Sequence, residues 1–97
     1  MPRSRRDDIE ICMEILELLV TSNKEISITD ILLHTRIKHI KAKKLLESME
    51  RSCWIHSHLS TNPDLRYKAI FKILPEGFEV LSLYQEKLRM LFSYLSD

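Results

Sequence analysis

The stretch that decides the fold is residues 26–52, ISITDILLHTRIKHIKAKKLLESMERS. Ser27 and Asp30 have the spacing of a capping box, which predicts a short helix over residues 28–35. A second helix is predicted over residues 38–52, where apolar side chains recur three and four positions apart: Ala42, Leu45, Leu46 and Met49. Because the connection between them is so short, these helices are expected to form a helix-turn-helix.

The side of the second helix that faces away from its apolar stripe is basic. Projection of the helix places Ile40, Lys43, Lys44, Glu47 and Arg51 there, flanked by His39 and Lys41, and Lys38 at the start of the helix is assigned to the same DNA-binding set. Lysines alone are most often a solvated face, but a basic helix after a tight turn is typical of DNA binding in the major groove. For Ile40 the sequence leaves two interpretations open, contact with a thymine methyl group or packing on the segment that follows.

That following segment is predicted to be a β-hairpin. Residues 54–60 and 67–73 are rich in β-branched and aromatic side chains, and they bracket the turn sequence Thr61-Asn62-Pro63-Asp64. One side of the second strand is expected to pack (Tyr67, Ala69, Phe71 and Ile73) and the other to be largely solvated (Lys68, Ile70 and Lys72). Arg66 and Lys68 lie near the tip, where they are expected to contact phosphate or remain solvated.

The first helix is predicted to run from a capping box at Ser4 and Asp7 to about Thr21. It carries two neighbouring apolar stripes, one of Ile9, Cys12, Met13, Leu16, Leu19 and Val20, the other of Ile11, Ile15 and Leu18. A helix this broadly apolar is expected to touch two neighbours. Ahead of it, Arg3, Arg5 and Arg6 form a basic arm that could reach phosphate or be disordered, and Ile26 is expected to pair briefly as a strand.

The last helix is predicted to start at Pro75 and to end at Leu95. Its apolar residues alternate three and four apart in an a/d seam: Leu81, Tyr84, Leu88, Leu91 and Leu95. A small domain cannot cover so much apolar surface alone, so a homodimer is expected. The predicted interface consists of the seam together with Ile11 and Ile15.

Composition excludes several classes of protein. The 97 residues are expected to form one domain, with residues 1–74 as the helix-turn-helix and hairpin and residues 75–97 as a dimerisation helix. No apolar run approaches the roughly 20 residues that a membrane span needs, and no secretory signal is expected. Cys12 and Cys53 lack CxxC spacing and are expected to be buried, reduced thiols of a cytoplasmic protein.

The net charge of +1 conceals a marked asymmetry along the chain. Residues 36–72 hold nine basic and three acidic side chains, whereas acids dominate the first helix and outnumber bases after Pro75. Such a distribution in one domain predicts that one face meets a polyanion.

The chain resembles small archaeal winged helix-turn-helix DNA-binding proteins that dimerise through a C-terminal antiparallel coiled coil. The resemblance extends over nearly the whole chain, and its most specific part is Phe71-Lys72-Ile73-Leu74-Pro75-Glu76-Gly77, which is similar to a Tyr-Lys-x-Thr-x-x-Gly motif. Ser52-Cys53 stands where relatives often carry Asn-Gly. The resemblance implies double-stranded DNA and a second copy of the chain as partners, in a transcriptional regulator or a nucleoid-associated chromatin protein.

Other functions receive less support from the sequence. Cys53, His56 and His58 have no fourth ligand at a matching spacing, so no metal site is expected, and no glycine-rich loop or nucleophile elbow indicates an enzyme. Neither a cofactor nor a small-molecule ligand is expected. The alternative function is a winged-helix protein-interaction module within a larger assembly, because one fold can host unrelated functions.

Overall fold

The computed structural model describes residues 7–65 and 68–95, and within them it has the winged helix-turn-helix architecture that the sequence predicts. Its elements in chain order are α1 (Asp8–Thr21), β1 (Ile26–Ser27), α2 (Ile28–Thr35), α3 (His39–Arg51), β2 (Ile55–Leu59), a 3₁₀ turn (Pro63–Leu65), β3 (Ala69–Ile73) and α4 (Pro75–Leu95). The strands form an antiparallel sheet in the order β1-β3-β2. Phe71 in the middle of β3 pairs with Ile26 of β1 on one edge and with Ser57 of β2 on the other.

Capping boxes start α1 and α2, although the one on α1 differs from the prediction. Asp7 is the N-cap of α1: its Oδ1 accepts from the Glu10 backbone N–H at 2.8 Å, and the Asp7 N–H donates to Glu10 Oε1 at 3.3 Å. The predicted Ser4–Asp7 box is therefore wrong, and Ser4 lies outside the described residues. The box on α2 is confirmed, because Asp30 Oδ2 accepts from the Ser27 N–H at 3.0 Å.

The helix-turn-helix depends on a left-handed residue at the end of α2. Arg36 has φ 60° and its N–H donates to the Leu32 carbonyl at 2.8 Å, so α2 ends abruptly and α3 begins at His39. This connection holds α2 and α3 as neighbours against α1.

A second left-handed residue ends α3. Cys53 has φ 63° and donates to the Glu50 carbonyl at 3.0 Å, while the Trp54 N–H donates to the Met49 carbonyl at 2.9 Å. These two bonds define a Schellman motif, in which the left-handed position favours glycine. The motif turns the Cys53 side chain outward, so the prediction of a buried Cys53 is wrong, whereas Cys12 is buried as predicted.

The core lies between α1, the helix-turn-helix, the sheet and the start of α4. Its buried members include Ile11, Cys12, Met13, Ile15, Leu16, Ile26, Ile31, Leu45, Leu46, Met49, Ile55 and Leu81. The centre of α1 packs as its two stripes predict, but Ile9 and Val20 near its ends are exposed. The apolar stripe of α3 is fully confirmed.

The second strand of the hairpin differs from its predicted alternation. Ile70, placed on the solvated side by the sequence, is fully buried, whereas Ala69 on the expected packing side is exposed. The reason is that β3 is the central strand: Ile70 lies between Ser27 of β1 and His58 of β2. Neighbouring strands flank Ile70 on both edges, and β3 also contacts α1 and α2, so this side chain is covered although Lys72 on the same side is exposed.

The long helix α4 starts at Pro75 as predicted and packs its first half on α1. Leu81 is buried and Tyr84 is half-buried there, whereas the described side chains from Gln85 to Ser93 are exposed. No helix in the described part of the chain is long and apolar enough to cross a membrane.

Candidate nucleic-acid interface

One side of α3 forms the surface that we call the reading face, consisting of Ile40, Lys43, Lys44, Glu47 and Arg51. All of these side chains are exposed, and they lie opposite the buried stripe of the same helix. Ile40 is 71% exposed and lies in a depression shared with Lys44 and Asp8, away from the hairpin. The structure therefore excludes the packing interpretation of Ile40.

An open groove of about 530 Å³ separates α3 from the hairpin and the start of α2. His39 and Lys43 line it from α3, Lys68 from the segment just before β3, and Phe71 from the middle of the sheet. Sequence reasoning did not single out Thr29 and Ser57, two hydroxyl side chains that also line this groove. Thr29 directly follows the first residue of α2, a position from which a hydroxyl group can meet an anion.

Lys41 lies on the opposite flank of α3, which faces α1. Its Nζ is 2.9 Å from Oδ1 of Asp8, the first residue of α1. This exposed ion pair holds the Lys41 ammonium group beside Asp8 at the margin of the reading face, and the contact of Lys41 with DNA stays a prediction. Lys38 precedes α3 as its N-cap and is exposed at the edge of the same depression as Ile40.

The hairpin, β2 and β3 with their connection, forms the wing. Lys68 is exposed at its distal end, whereas Arg66 lies outside the described residues. The distal end of β2 is anchored by Ser60, which is buried and donates its hydroxyl to Glu25 Oε1 at 2.6 Å. This bond joins the wing to the loop before β1.

The outer part of the wing carries a pair of histidines. The rings of His56 and His58 stack with their centroids 5.6 Å apart, as expected for alternate residues on one side of a strand. Residues 7–65 and 68–95 contain no group of three or more potential metal ligands. The predicted basic arm of Arg3, Arg5 and Arg6 lies outside the described residues.

The predicted dimer interface divides into two parts. Ile11 and Ile15 are 3% and 0% exposed in the core of the single chain, so assigning them to an interface between copies is wrong. In the seam, Leu81 and Tyr84 already pack within the chain, whereas Leu88 and Leu91 are exposed farther along α4. Leu95 is the last residue of α4.

Burial controls the chemistry of Cys12. It raises the pKa of the Cys12 thiol to about 11, and the nearby Asp8 carboxylate acts in the same direction. Cys12 therefore remains a protonated thiol at neutral pH and does not act as a nucleophile.

Comparison with solved structures supports this fold. A MepR mutant from a multidrug-resistant S. aureus clinical isolate superposes with a TM-score of 0.74 at 13% identity, over 88% of this chain and 60% of MepR. Sso10a-2, a DNA-binding protein from Sulfolobus solfataricus, superposes with a TM-score of 0.72 at 18% identity, over 94% of this chain and 87% of that protein.

The structure of a different S. aureus MepR mutant gives a TM-score of 0.70 at 18% identity, over 87% of this chain and 64% of that one. The chain thus spans about three-fifths of the length of MepR. No family model and no curated protein sequence matches the chain. At these identities the similarity establishes the winged-helix fold.

Proposed function

We propose that the chain binds double-stranded DNA as a homodimer, as a transcriptional regulator or a small chromatin-associated protein of the cytoplasm. The observation that supports this most strongly is the reading face, a wholly exposed basic surface on the second helix of a helix-turn-helix. The major groove is about 12 Å wide and admits an α-helix. The DNA-binding function of the structurally similar Sso10a-2 supports the same proposal.

In the proposed complex, α3 enters the major groove and the wing lies on the phosphate backbone. Ile40, Lys43 and Lys44 on the reading face approach base edges and nearby phosphates, with His39 beside them. Arg51, Lys38 and Lys68 bind phosphate, and we assign the same role to Arg66 and to the arm of Arg3, Arg5 and Arg6. Phosphate contacts of this kind position the protein without reading sequence.

Residues 75–97 act in this proposal as the dimerisation helix. The 21 residues of α4 span roughly 30 Å at about 1.5 Å rise per residue. Antiparallel pairing would cover Leu88 and Leu91 and place the two copies of α3 for sites about one duplex turn, or a small multiple of it, apart. The exposed apolar surface on the second half of α4 supports this arrangement.

Duplex binding measured over a salt series tests the proposal. The five described basic residues (Lys38, Lys43, Lys44, Arg51 and Lys68) predict a slope of log K against log salt of at least about −4.5 per protomer, from about 0.9 per phosphate contact. Contacts from Arg66 and the arm would make the slope steeper. A labelled duplex of about 30 base pairs and fluorescence anisotropy between about 50 and 200 mM salt give this slope. Absence of salt-dependent binding would reject DNA as the partner and favour the protein-interaction module.

A further inference from the structure

The reading face contains one acidic residue, Glu47, at a position that basic residues surround. Lys43 and Lys44 lie one helical turn before it, and Arg51 lies one turn after it. Within residues 7–65 and 68–95, the Glu47 carboxylate forms no hydrogen bond or ion pair. Glu50, which lines the groove together with Glu47, instead accepts a hydrogen bond from the Ser57 hydroxyl at 2.7 Å. Glu47 therefore presents an unengaged carboxylate on the surface that meets DNA.

An unengaged carboxylate at this position weakens binding to any phosphate backbone. A protein that bound every duplex alike would lose affinity from Glu47 on all of them, because like charges repel across the interface. In the major groove, however, cytosine exposes only its N4 amino donor, and the characteristic acceptor for it is Glu or Asp. Adenine also has an amino donor, but its N7 acceptor lies beside it and repels a carboxylate.

Ile40 lies on the same side of α3 as Glu47, two helical turns before it. The seven-residue separation corresponds to about 10 Å along the helix axis, or roughly three base-pair steps. Ile40 is 71% exposed, although burial of such a side chain in the free protein would be favourable. An apolar group held out towards the groove fits the methyl group of thymine.

We propose that Glu47 makes the protein a sequence-specific reader that selects a cytosine in each half-site, with Ile40 selecting a thymine about three positions away. This inference rests on the proposed DNA binding and adds to it the property that separates a site-specific regulator from an architectural protein. The pair of contacts gives recognition, while the surrounding lysines and Arg51 supply affinity that does not depend on sequence.

Selection from a duplex library with a randomised centre, at about 150 mM salt, tests this inference. The wild-type protein is expected to enrich a half-site with a fixed cytosine. Glu47→Gln is expected to replace that preference with adenine, because a glutamine amide pairs with adenine N6 and N7. We expect discrimination between the two bases to change roughly tenfold in competition binding, which is about 1.4 kcal/mol.

Glu50→Gln is the matched control, since it removes the same charge one turn away from a carboxylate already held by Ser57. It should leave the enriched sequence unchanged, and thermal unfolding should show both variants folded because both side chains are exposed. Enrichment of no sequence by the wild type, or an equal change in affinity for all sequences with Glu47→Gln, would overturn the inference while leaving DNA binding intact. A wild-type protein that binds no duplex at all would overturn the proposed function itself.

Discussion

Substitution of Gly77 by alanine should destabilise the protein, although alanine is the better helix former. Gly77 is the single glycine of the sequence and lies in the first turn of α4, directly beneath the carbonyl group of Trp54. A Cβ atom there would overlap the Trp54 carbonyl oxygen and lie 2.9 Å from its carbonyl carbon and 3.1 Å from Ile73 Cγ1. Two of these contacts involve backbone, which cannot rotate away.

The loss in the free energy of unfolding follows from one effect that favours alanine and two that disfavour it. Helix propensity favours alanine over glycine by about 1 kcal/mol. Overpacking typically costs about 1–3 kcal/mol, and here it also displaces the 2.9 Å hydrogen bond from the Leu74 N–H to the Trp54 carbonyl, worth about 1 kcal/mol. The overpacking cost should be near the upper end of this range, because the clashing Trp54 carbonyl belongs to rigid backbone. The free energy of unfolding should therefore fall by about 2–3 kcal/mol, which lowers Tm by on the order of 10–20 °C.

Thermal and urea unfolding at one fixed protein concentration measure this loss. The single tryptophan, Trp54, provides a fluorescence signal at the site of the clash, and circular dichroism follows the helices. Glu79→Ala, an exposed position on the same helix, serves as the control and should change stability by no more than about 0.5 kcal/mol. A Gly77→Ala protein more stable than the wild type would refute the close approach of α4 to Trp54.

Three further predictions concern other parts of the chain. Cys53→Gly should stabilise the fold by about 1 kcal/mol because Cys53 has φ 63°, whereas Cys53→Ala should not. In the native protein a thiol reagent should modify Cys53 rapidly and Cys12 only after unfolding, and equal modification rates would contradict the burial of Cys12. Replacing Leu88 and Leu91 by glutamine should leave the chain folded, because both side chains are already exposed in the single chain. The variant should be a monomer and bind DNA more weakly, because it lacks the tethered second copy. Sedimentation of the wild type as a monomer at micromolar concentration would refute the dimer. Burial alone would raise the pKa of Asp30, but hydrogen bonds from Ser27 and Lys24 outweigh burial and lower that pKa. The Asp30 carboxylate should therefore stabilise the fold above about pH 4 and lose this contribution in acid. An Asp30→Asn variant whose unfolding has the same acid dependence as the wild type would contradict this prediction.

Helical periodicity predicted the helices of this fold because each helix buries apolar side chains that recur three and four positions apart. All four residues of the predicted apolar stripe of α3 are buried. The capping box at Ser27 and Asp30 correctly located the start of α2. Periodicity does not reveal which part of a stripe is covered, so it did not show that Ile9 and Val20, at the two ends of one α1 stripe, are exposed. The same limit applies to Ile11 and Ile15, because an apolar stripe does not state whether its partner belongs to the same chain.

Other differences arise from the position of a residue in the tertiary structure. The burial of Ile70 depends on β1 completing the sheet beside β3, a pairing between residues far apart in the sequence. The exposure of Cys53 follows from its left-handed backbone at the end of α3. For the candidate interface, the composition of the basic surface was predictable from sequence, whereas the ion pair that joins Lys41 to Asp8 depends on how α1 crosses α3.

The measurement that tests the central proposal most directly is the salt dependence of duplex binding by a Lys43→Ala, Lys44→Ala double variant. Its control is Lys24→Ala with Lys72→Ala, which removes the same charge from two exposed lysines outside the reading face and outside the predicted contact residues. If α3 binds DNA through its reading face, the first variant should bind all duplexes more weakly, with a slope smaller by about 2 per protomer, while the control keeps nearly the wild-type slope. Equal slopes for both variants and the wild type would contradict the assignment of α3 as the DNA-binding helix.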